Sequence, residues 1–409
     1  MHTVIVRPPE AARAAGRAPR SIDNMSAPSA TGPTLDAVQA ALATVDDPEI
    51  RKPITDLGMV KSVDIAPSGE VSVAVYLTVA GCPMRDTITK NVTAAVAAVD
   101  GVTGVTVELD VMSDTQRKDL QGRLRSASGA VEREIPFALP GSLTRVYAVA
   151  SGKGGVGKSS VTVNLAAAMA RSGLAVGVVD ADIYGHSVPR MLGVEGRPTQ
   201  VEDMILPPVA NDVKVISIGM FVANNQPVVW RGPMLHRALQ QFLGDVYWGD
   251  LDVLLMDLPP GTGDIAISVA QLVPPAELLV VTTPQQAAAE VAERAGTIAL
   301  QTHQQIAGVV ENMSYLPCPH CGDRIEVFGS GGGQAVADGL SRTMGALVPL
   351  LGEIPLDTRL REGGDSGRPL VLDHPDAPAA LALTKVADAL GHRARGLAGR
   401  SLGLSPAGR

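Results

Sequence analysis

A chain of 409 residues with 45% hydrophobic and 19% charged side chains has the composition of a soluble globular protein and length enough for two domains. Its net charge of -8 and aromatic content of 3% exclude a general nucleic-acid or anionic-membrane surface and broad base-stacking platforms. Three cysteines, Cys82, Cys318 and Cys321, are too few for a disulfide framework and point to a reducing, cytoplasmic compartment.

Residues 1–33 are rich in Ala, Pro, Ser and Arg without periodicity and read as a disordered extension, with Met25 as an alternative start. Residues 34–112 read as a small α+β domain. A helix is expected over Thr34–Val45, capped by Thr34 or Asp36, then a strand over Val71–Val79, a helix over Arg85–Val99 and a strand over Val102–Leu109. Residues 113–140 are polar and read as a linker with a helical start. From 141 to 390 short apolar strands alternate with helices. The strands are Val146–Val149, Ala175–Val179, Val213–Ile218, Val253–Met256, Leu278–Val281 and Ala307–Val310. Helices are expected over Ser159–Arg171, Asp264–Leu272 and Gln285–His303. This alternation predicts an α/β fold: a mostly parallel P-loop NTPase sheet with helices on both faces. Residues 391–409 read as a disordered tail, and no apolar run is long enough to cross a membrane.

Gly152-Lys153-Gly154-Gly155-Val156-Gly157-Lys158-Ser159 matches G-x-x-x-x-G-K-[ST] between a strand and a helix, the context that makes the motif specific. Its glycines let backbone N–H groups wrap the phosphates of ATP, and Ser160 extends the contact into the helix. Lys158 is expected on the β- and γ-phosphates and Ser159 on magnesium. Asp257 ends a strand where a magnesium-orienting carboxylate belongs. Asp182 ends the strand after the P-loop helix, placed to orient or deprotonate the attacking water, while Asp180 is read as supporting the turn. A strand-terminal Asp alone is usually a turn or cap residue; the shared sheet edge is what favours function here.

Cys318-Pro319-His320-Cys321 puts two thiols at chelating spacing. A disulfide-exchange motif of this form opens a helix directly after a strand. Here Gly322-Asp323 and the strand-like Ile325–Phe328 follow, which favours a metal loop. One pair is half of a four-thiolate site, and a twofold homodimer would supply the other half for an iron–sulfur cluster or a structural zinc. His320 is expected to be dispensable.

The second lysine, Lys153, gives the form K-G-G-x-G-K-[ST], which resembles the deviant Walker A loop of the MinD/Mrp class of ATPases. The whole stretch from about Thr34 to Leu372 resembles Mrp-family iron–sulfur cluster carrier ATPases. The residues that carry the resemblance are SGKGGVGKSS (151–160), DADIYGHSVPRMLG (180–193), WRGPM (230–234), MDLPPGTGD (256–264), VTTPQQ (281–286), GVVENMSYLPCPHCG (308–322), FGSGGG (328–333) and LGEIPLDTRLREGGDSGRPL (351–370). The resemblance implies an ATP-sandwiched homodimer in which Lys153 acts in trans. It implies adenine contacts from Asn312 and the segment around Pro355. It also implies a cluster, 4Fe–4S and bridging the dimer, on Cys318 and Cys321, with apo iron–sulfur proteins as clients. Asp47-Pro48-Glu49, DLGMV (56–60) and LTVAGCPM (77–84) resemble the iron–sulfur assembly domain often fused before such ATPases, which suggests cluster handling by Cys82. Two rival readings are a MinD/ParA-like positioning ATPase and a zinc-stabilised regulatory nucleotide-binding protein. The first should carry a membrane-binding amphipathic tail or a basic DNA surface; the C-terminal residues have arginines but few bulky apolar residues at helical spacing and do not resemble a membrane helix.

Overall fold

The computed structural model describes residues 32–78, 84–128, 134–139, 141–182, 185–202, 204–221, 232–261, 264–285 and 288–391. The chain divides after Gly129 into two compact units.

The first unit runs α1 (Leu35–Leu42), β1 (Val60–Ile65), β2 (Glu70–Leu77), α2 (Arg85–Ala97), β3 (Gly104–Val111) and α3 (Asp114–Ser128). Thr34 caps α1, its Oγ1 accepting from the Ala37 N–H at 3.2 Å. The sheet order is β1-β2-β3, with β1 antiparallel and β3 parallel to β2. Alternation on β2 buries Val71, Val73, Val75 and Leu77 on one face, and α1 and α2 contribute Val38, Leu42, Ile88, Val92 and Val96 to the core. Two features differ from the sequence reading. β1 (VKSVDI) is an edge strand with an exposed face, so polar residues interrupt its pattern. The helical start expected in the linker 113–140 extends over fifteen residues as α3, because Leu120 and Leu124, one turn apart, are both buried.

The second unit begins with β4 (Arg145–Ala150), α4 (Lys158–Arg171), β5 (Val176–Asp180), α5 (Val188–Met191), β6 (Thr199–Val201), β7 (Met204–Leu206), β8 (Val209–Ala210) and β9 (Val213–Ser217). It continues with α6 (Gly232–Gly244), β10 (Val253–Asp257), α7 (Asp264–Leu272), β11 (Glu277–Thr282), α8 (Ala288–Thr302), β12 (Ile306–Asn312), β13 (Leu316–Pro317) and β14 (Arg324–Ile325). It ends with α9 (Gly332–Met344), β15 (Leu350–Ile354), α10 (Thr358–Ser366), α11 (Leu370–Asp373) and α12 (Pro378–Gly391). Eight strands form one sheet in the order β15-β12-β11-β4-β10-β5-β9-β8, parallel except for the edge pair β8–β9.

Both faces of that sheet are covered, which is why its central strands are apolar throughout. On β4, Val146, Ala148 and Ala150 join one core, with Trp248, Leu254 and Val280. Tyr147 and Val149 join the other, with Leu165, Val178 and Leu383. Gly177 is required in β5 because a Cβ there would lie 2.7 Å from Leu251 and 2.8 Å from Trp248. The chain leaves β4 toward β5 and β9, then returns to place β10 and β11 on either side of β4. The carboxyl end of β4 is therefore the point from which connections run both ways, where such sheets bind ligands.

Candidate phosphate and thiolate sites

The loop 151–157 joins β4 to α4, and its backbone conformation depends on Gly155 (φ 77°) and Gly157 (φ 78°). A Cβ on Gly157 would also collide with the Asn312 amide, so only glycine fits there. The loop is held from β10: the Leu258 N–H donates to Val149 O at 3.1 Å and the Gly261 N–H to Ser151 O at 2.8 Å.

Asp257, fully buried, is the hub of the site. Its Oδ2 takes the Lys158 ammonium at 2.7 Å and the Ser159 hydroxyl at 2.5 Å, and its Oδ1 takes the Thr162 hydroxyl at 2.8 Å. The residues read from sequence as the phosphate lysine, the magnesium hydroxyl and the magnesium carboxylate thus meet. Thr162 was not singled out, although its place one turn after Ser159 puts it on the same helix face.

Parallel register pairs Asp257 with Asp180 on β5, so two carboxyls stand side by side at the sheet edge. Burial, and then the neighbouring Asp257 charge, push the Asp180 carboxyl up to about 7. The Ser217 hydroxyl (3.0 Å) and the Asp182 N–H (3.2 Å) donate to it and act in the opposite sense. Asp180 therefore supports the turn, as read, and also carries a perturbed proton that sequence reasoning missed. Asp182 lies beside it, buried, with Oδ1 accepting from the Gly185 N–H at 3.0 Å.

Lys153 is half-buried, and its ammonium donates to Gln285 Oε1 in the loop after β11. Asn312 ends β12. Its Nδ2 donates to Val156 O at 2.8 Å, while its Oδ1 is buried without a partner. In register with it, β15 ends at Ile354, followed by Pro355. A buried acceptor beside the P-loop is a ready partner for an exocyclic amine, so the residues present fit a purine nucleotide.

The strands β13 and β14 form a short antiparallel hairpin with Cys318-Pro319-His320-Cys321 at its tip. Only Arg324–Ile325 is strand, shorter than the expected Ile325–Phe328, because the Val327 N–H turns back onto Ile325 O at 3.0 Å. The Cys318 N–H donates to Asp323 O at 2.8 Å and the Gly322 N–H to Cys318 O at 2.9 Å, closing the loop. N–H groups of Cys321 and His320 directed at the Cys318 sulfur, helped by the Cys321 thiol, hold its thiol below the usual range. That arrangement favours the thiolate, the form that ligates iron or zinc. Among the described residues no group of three or more His, Cys, Asp or Glu is placed to hold a metal. The hairpin is fastened to the sheet. Arg324 pairs with Glu353 of β15 at 2.9 Å and lies 4.0 Å over the Tyr315 ring. The Ser314 N–H donates to Ile354 O at 2.9 Å and the Leu356 N–H to Tyr315 O at 2.7 Å.

In the first unit, Asp47 Oδ1 accepts from the Glu49 and Ile50 N–H groups at 2.9 and 2.8 Å, which makes Asp-Pro-Glu a turn. Burial, with the Asp47 charge, pushes the Glu49 carboxyl up to about 7. Cys82 lies outside the described residues.

Residues 142–391 match the model of the NUBPL iron-transfer P-loop NTPase family, and residues 35–109 match that of iron–sulfur cluster assembly proteins. The chain belongs to the NUBPL iron-transfer P-loop NTPase family. It is 67% identical over 370 residues to the iron-sulfur cluster carrier protein of Mycobacterium tuberculosis H37Rv, covering 90% of this chain and 96% of that one. Identity to the iron-sulfur cluster carrier protein of a Synechocystis strain is 42% over 361 residues, covering 87% and 96%. The solved nucleotide-binding protein of Archaeoglobus fulgidus in complex with ADP superposes with a TM-score of 0.50 at 37% identity, covering 61% of this chain and 96% of that one. No helix among the described residues is long and apolar enough to cross a membrane.

Proposed function

We propose that this chain is an ATP-hydrolysing carrier that assembles an iron–sulfur cluster and passes it to apoproteins. The observation that supports it best is the joint placement of two sites. One is a complete phosphate cradle around Asp257; the other is a two-thiol hairpin fastened by Arg324–Glu353 to the strand that leads into Pro355. Gly152–Ser160 bind the triphosphate, with Lys158 released from Asp257 to the phosphates. Ser159 and Asp257, already 2.5 Å apart, hold magnesium, which supplies charge neutralisation at the phosphates. Asp182 orients the attacking water and accepts its proton at a carboxylate oxygen. Asn312 Oδ1 and the Pro355 segment receive the adenine. Lys153 leaves Gln285 and serves the phosphates of a second copy. The cargo is a 4Fe–4S cluster held by Cys318 and Cys321 together with the same pair of that copy, and nucleotide turnover alters the dimer and so its release. Cys82 handles cluster in the first unit.

Anaerobic reconstitution with iron and sulfide tests this reading. About one cluster per dimer is expected, lost in Cys318→Ala and Cys321→Ala while ATP binding persists, with transfer to an apo-ferredoxin accelerated by ATP. Stoichiometric zinc without iron, or cluster retained without both cysteines, would overturn it.

A further inference from the structure

Every residue from 321 to 330 is exposed, and three of them are large apolar side chains: Ile325 (45% exposed), Val327 (47%) and Phe328 (36%). Exposed apolar residues scattered singly need no explanation, but three within four positions on one strap do. The strap has a defined place. At one end it leaves the cysteine hairpin through β14. At the other its glycines lie directly on the loop after β11: a Cβ on Gly332 would sit 2.6 Å from the Pro284 carbonyl, and one on Gly329 would sit 3.9 Å from Pro284 O. The next residue, Gln285, holds the Lys153 ammonium. The strap therefore spans the surface between the half-set of thiols, incomplete within one chain, and the lysine held by Gln285, which the dimeric reading assigns to the second copy.

We infer that Ile325, Val327 and Phe328 form the apolar part of the contact with a second copy of this chain, closing between the nucleotide and the thiols. The inference rests on the dimeric reading above and adds the surface that carries it. A twofold axis passing beside the hairpin brings each strap against its counterpart, because such a contact uses the same patch twice. Burying the strap removes the apolar surface from water, and the polar groups around it, Asp323, Arg324 and Glu326, fall at the rim. Because the substitution enters twice, one charge at Val327 opposes the contact twice.

Two measurements test this. Val327→Asp, on an exposed position whose backbone bond is kept, should weaken dimerisation in Mg-ATPγS roughly 100-fold, read by sedimentation, with nucleotide binding per chain retained. In a Cys82→Ser/Cys318→Ser/Cys321→Ser background, V327C should cross-link between chains with a short bismaleimide only when nucleotide is bound. L347C should not, since Leu347, 87% exposed, precedes β15 and lies at the opposite end of the strands from the P-loop. Unchanged dimerisation of Val327→Asp, absent cross-links in nucleotide-bound V327C, or equal cross-linking at Leu347 would overturn the inference. So would loss of cluster transfer in Val327→Asp with dimerisation intact, which would make the strap a client surface. The cross-linked chain lacks both thiols, so this outcome is independent of whether the wild-type chain carries iron.

Discussion

Asp180→Asn separates the buried proton of the phosphate site from everything else that titrates. Asp180 holds its proton to about 7 in the folded chain, against 3.8 for the free side chain. An acid whose folded value lies above its unfolded value favours the folded state most below the lower value, and that advantage is lost as pH rises through the upper one. Between pH 4 and 7 the unfolded chain releases a proton that the folded chain keeps, so stability falls, by up to about 4 kcal/mol at 1.36 kcal/mol per unit. Asparagine does not ionise, which removes this slope. It keeps an acceptor for Ser217 but turns an NH2 toward the Asp182 N–H or loses that bond, at a cost of about 1–2 kcal/mol at every pH. The variant should therefore be less stable than wild type by about 1–2 kcal/mol at pH 4 and more stable by about 2 kcal/mol at pH 8, with the two curves crossing between. Urea denaturation of nucleotide-free protein in EDTA, followed by the fluorescence of buried Trp248 in the same unit, reads the difference. Parallel pH profiles for the two proteins would refute the assignment of this proton to Asp180.

Lys158→Ala should abolish nucleotide hydrolysis, read as phosphate release. Leaving Asp257 buried without its cation should also cost about 3–5 kcal/mol in the same urea assay, toward the lower end because Ser159 and Thr162 still donate to it. Mixing Lys158→Ala chains with Lys153→Ala chains should restore up to one working site per mixed dimer, since the chain with an intact Lys158 then meets an intact Lys153 from its neighbour. A mixed dimer without activity, after exchange is confirmed, shows that Lys153 serves its own site. Asn312→Ala removes both the Val156 bond and the buried acceptor, and should weaken ATP binding about 5–10-fold per hydrogen bond lost while abolishing preference for adenine over guanine in competition.

The parts of this molecule that sequence disclosed are those fixed over short distances along the chain. The P-loop is legible because eight consecutive residues between a strand and a helix make the cradle. Cys318 and Cys321 are legible because chelation needs only their spacing. What sequence did not disclose depends on register between strands far apart in the chain. The perturbed Asp180 proton, raised by burial and then by the neighbouring Asp257 charge, exists only once β10 inserts beside β5. The bond from Lys153 to Gln285 joins residues 132 positions apart. β1, and the length of α3 beyond the helical start expected there, are hidden for a different reason. Each buries one narrow face, and α3 does so with leucines four positions apart in a polar run, so composition outweighed periodicity.

The same distinction bears on how the two sites are joined. Asn312 and Cys318 are close in sequence, but a loop of that length alone would leave the thiols free to wander relative to the nucleotide pocket. Three long-range contacts remove that freedom: Ser314 to Ile354, Tyr315 to Leu356, and Arg324 to Glu353 with its guanidinium over Tyr315. The exposed ion pair is worth little by itself, about 0–1 kcal/mol. Its geometric effect is larger, because Arg324 sits on the return strand of the hairpin and so fixes the arm that the backbone bonds of 314–315 do not reach. The hairpin is thereby carried by the ends of β12 and β15, the same two strand ends that present Asn312 and Pro355. A displacement of those ends moves the thiols with them, and the strap of Ile325, Val327 and Phe328 moves with the thiols.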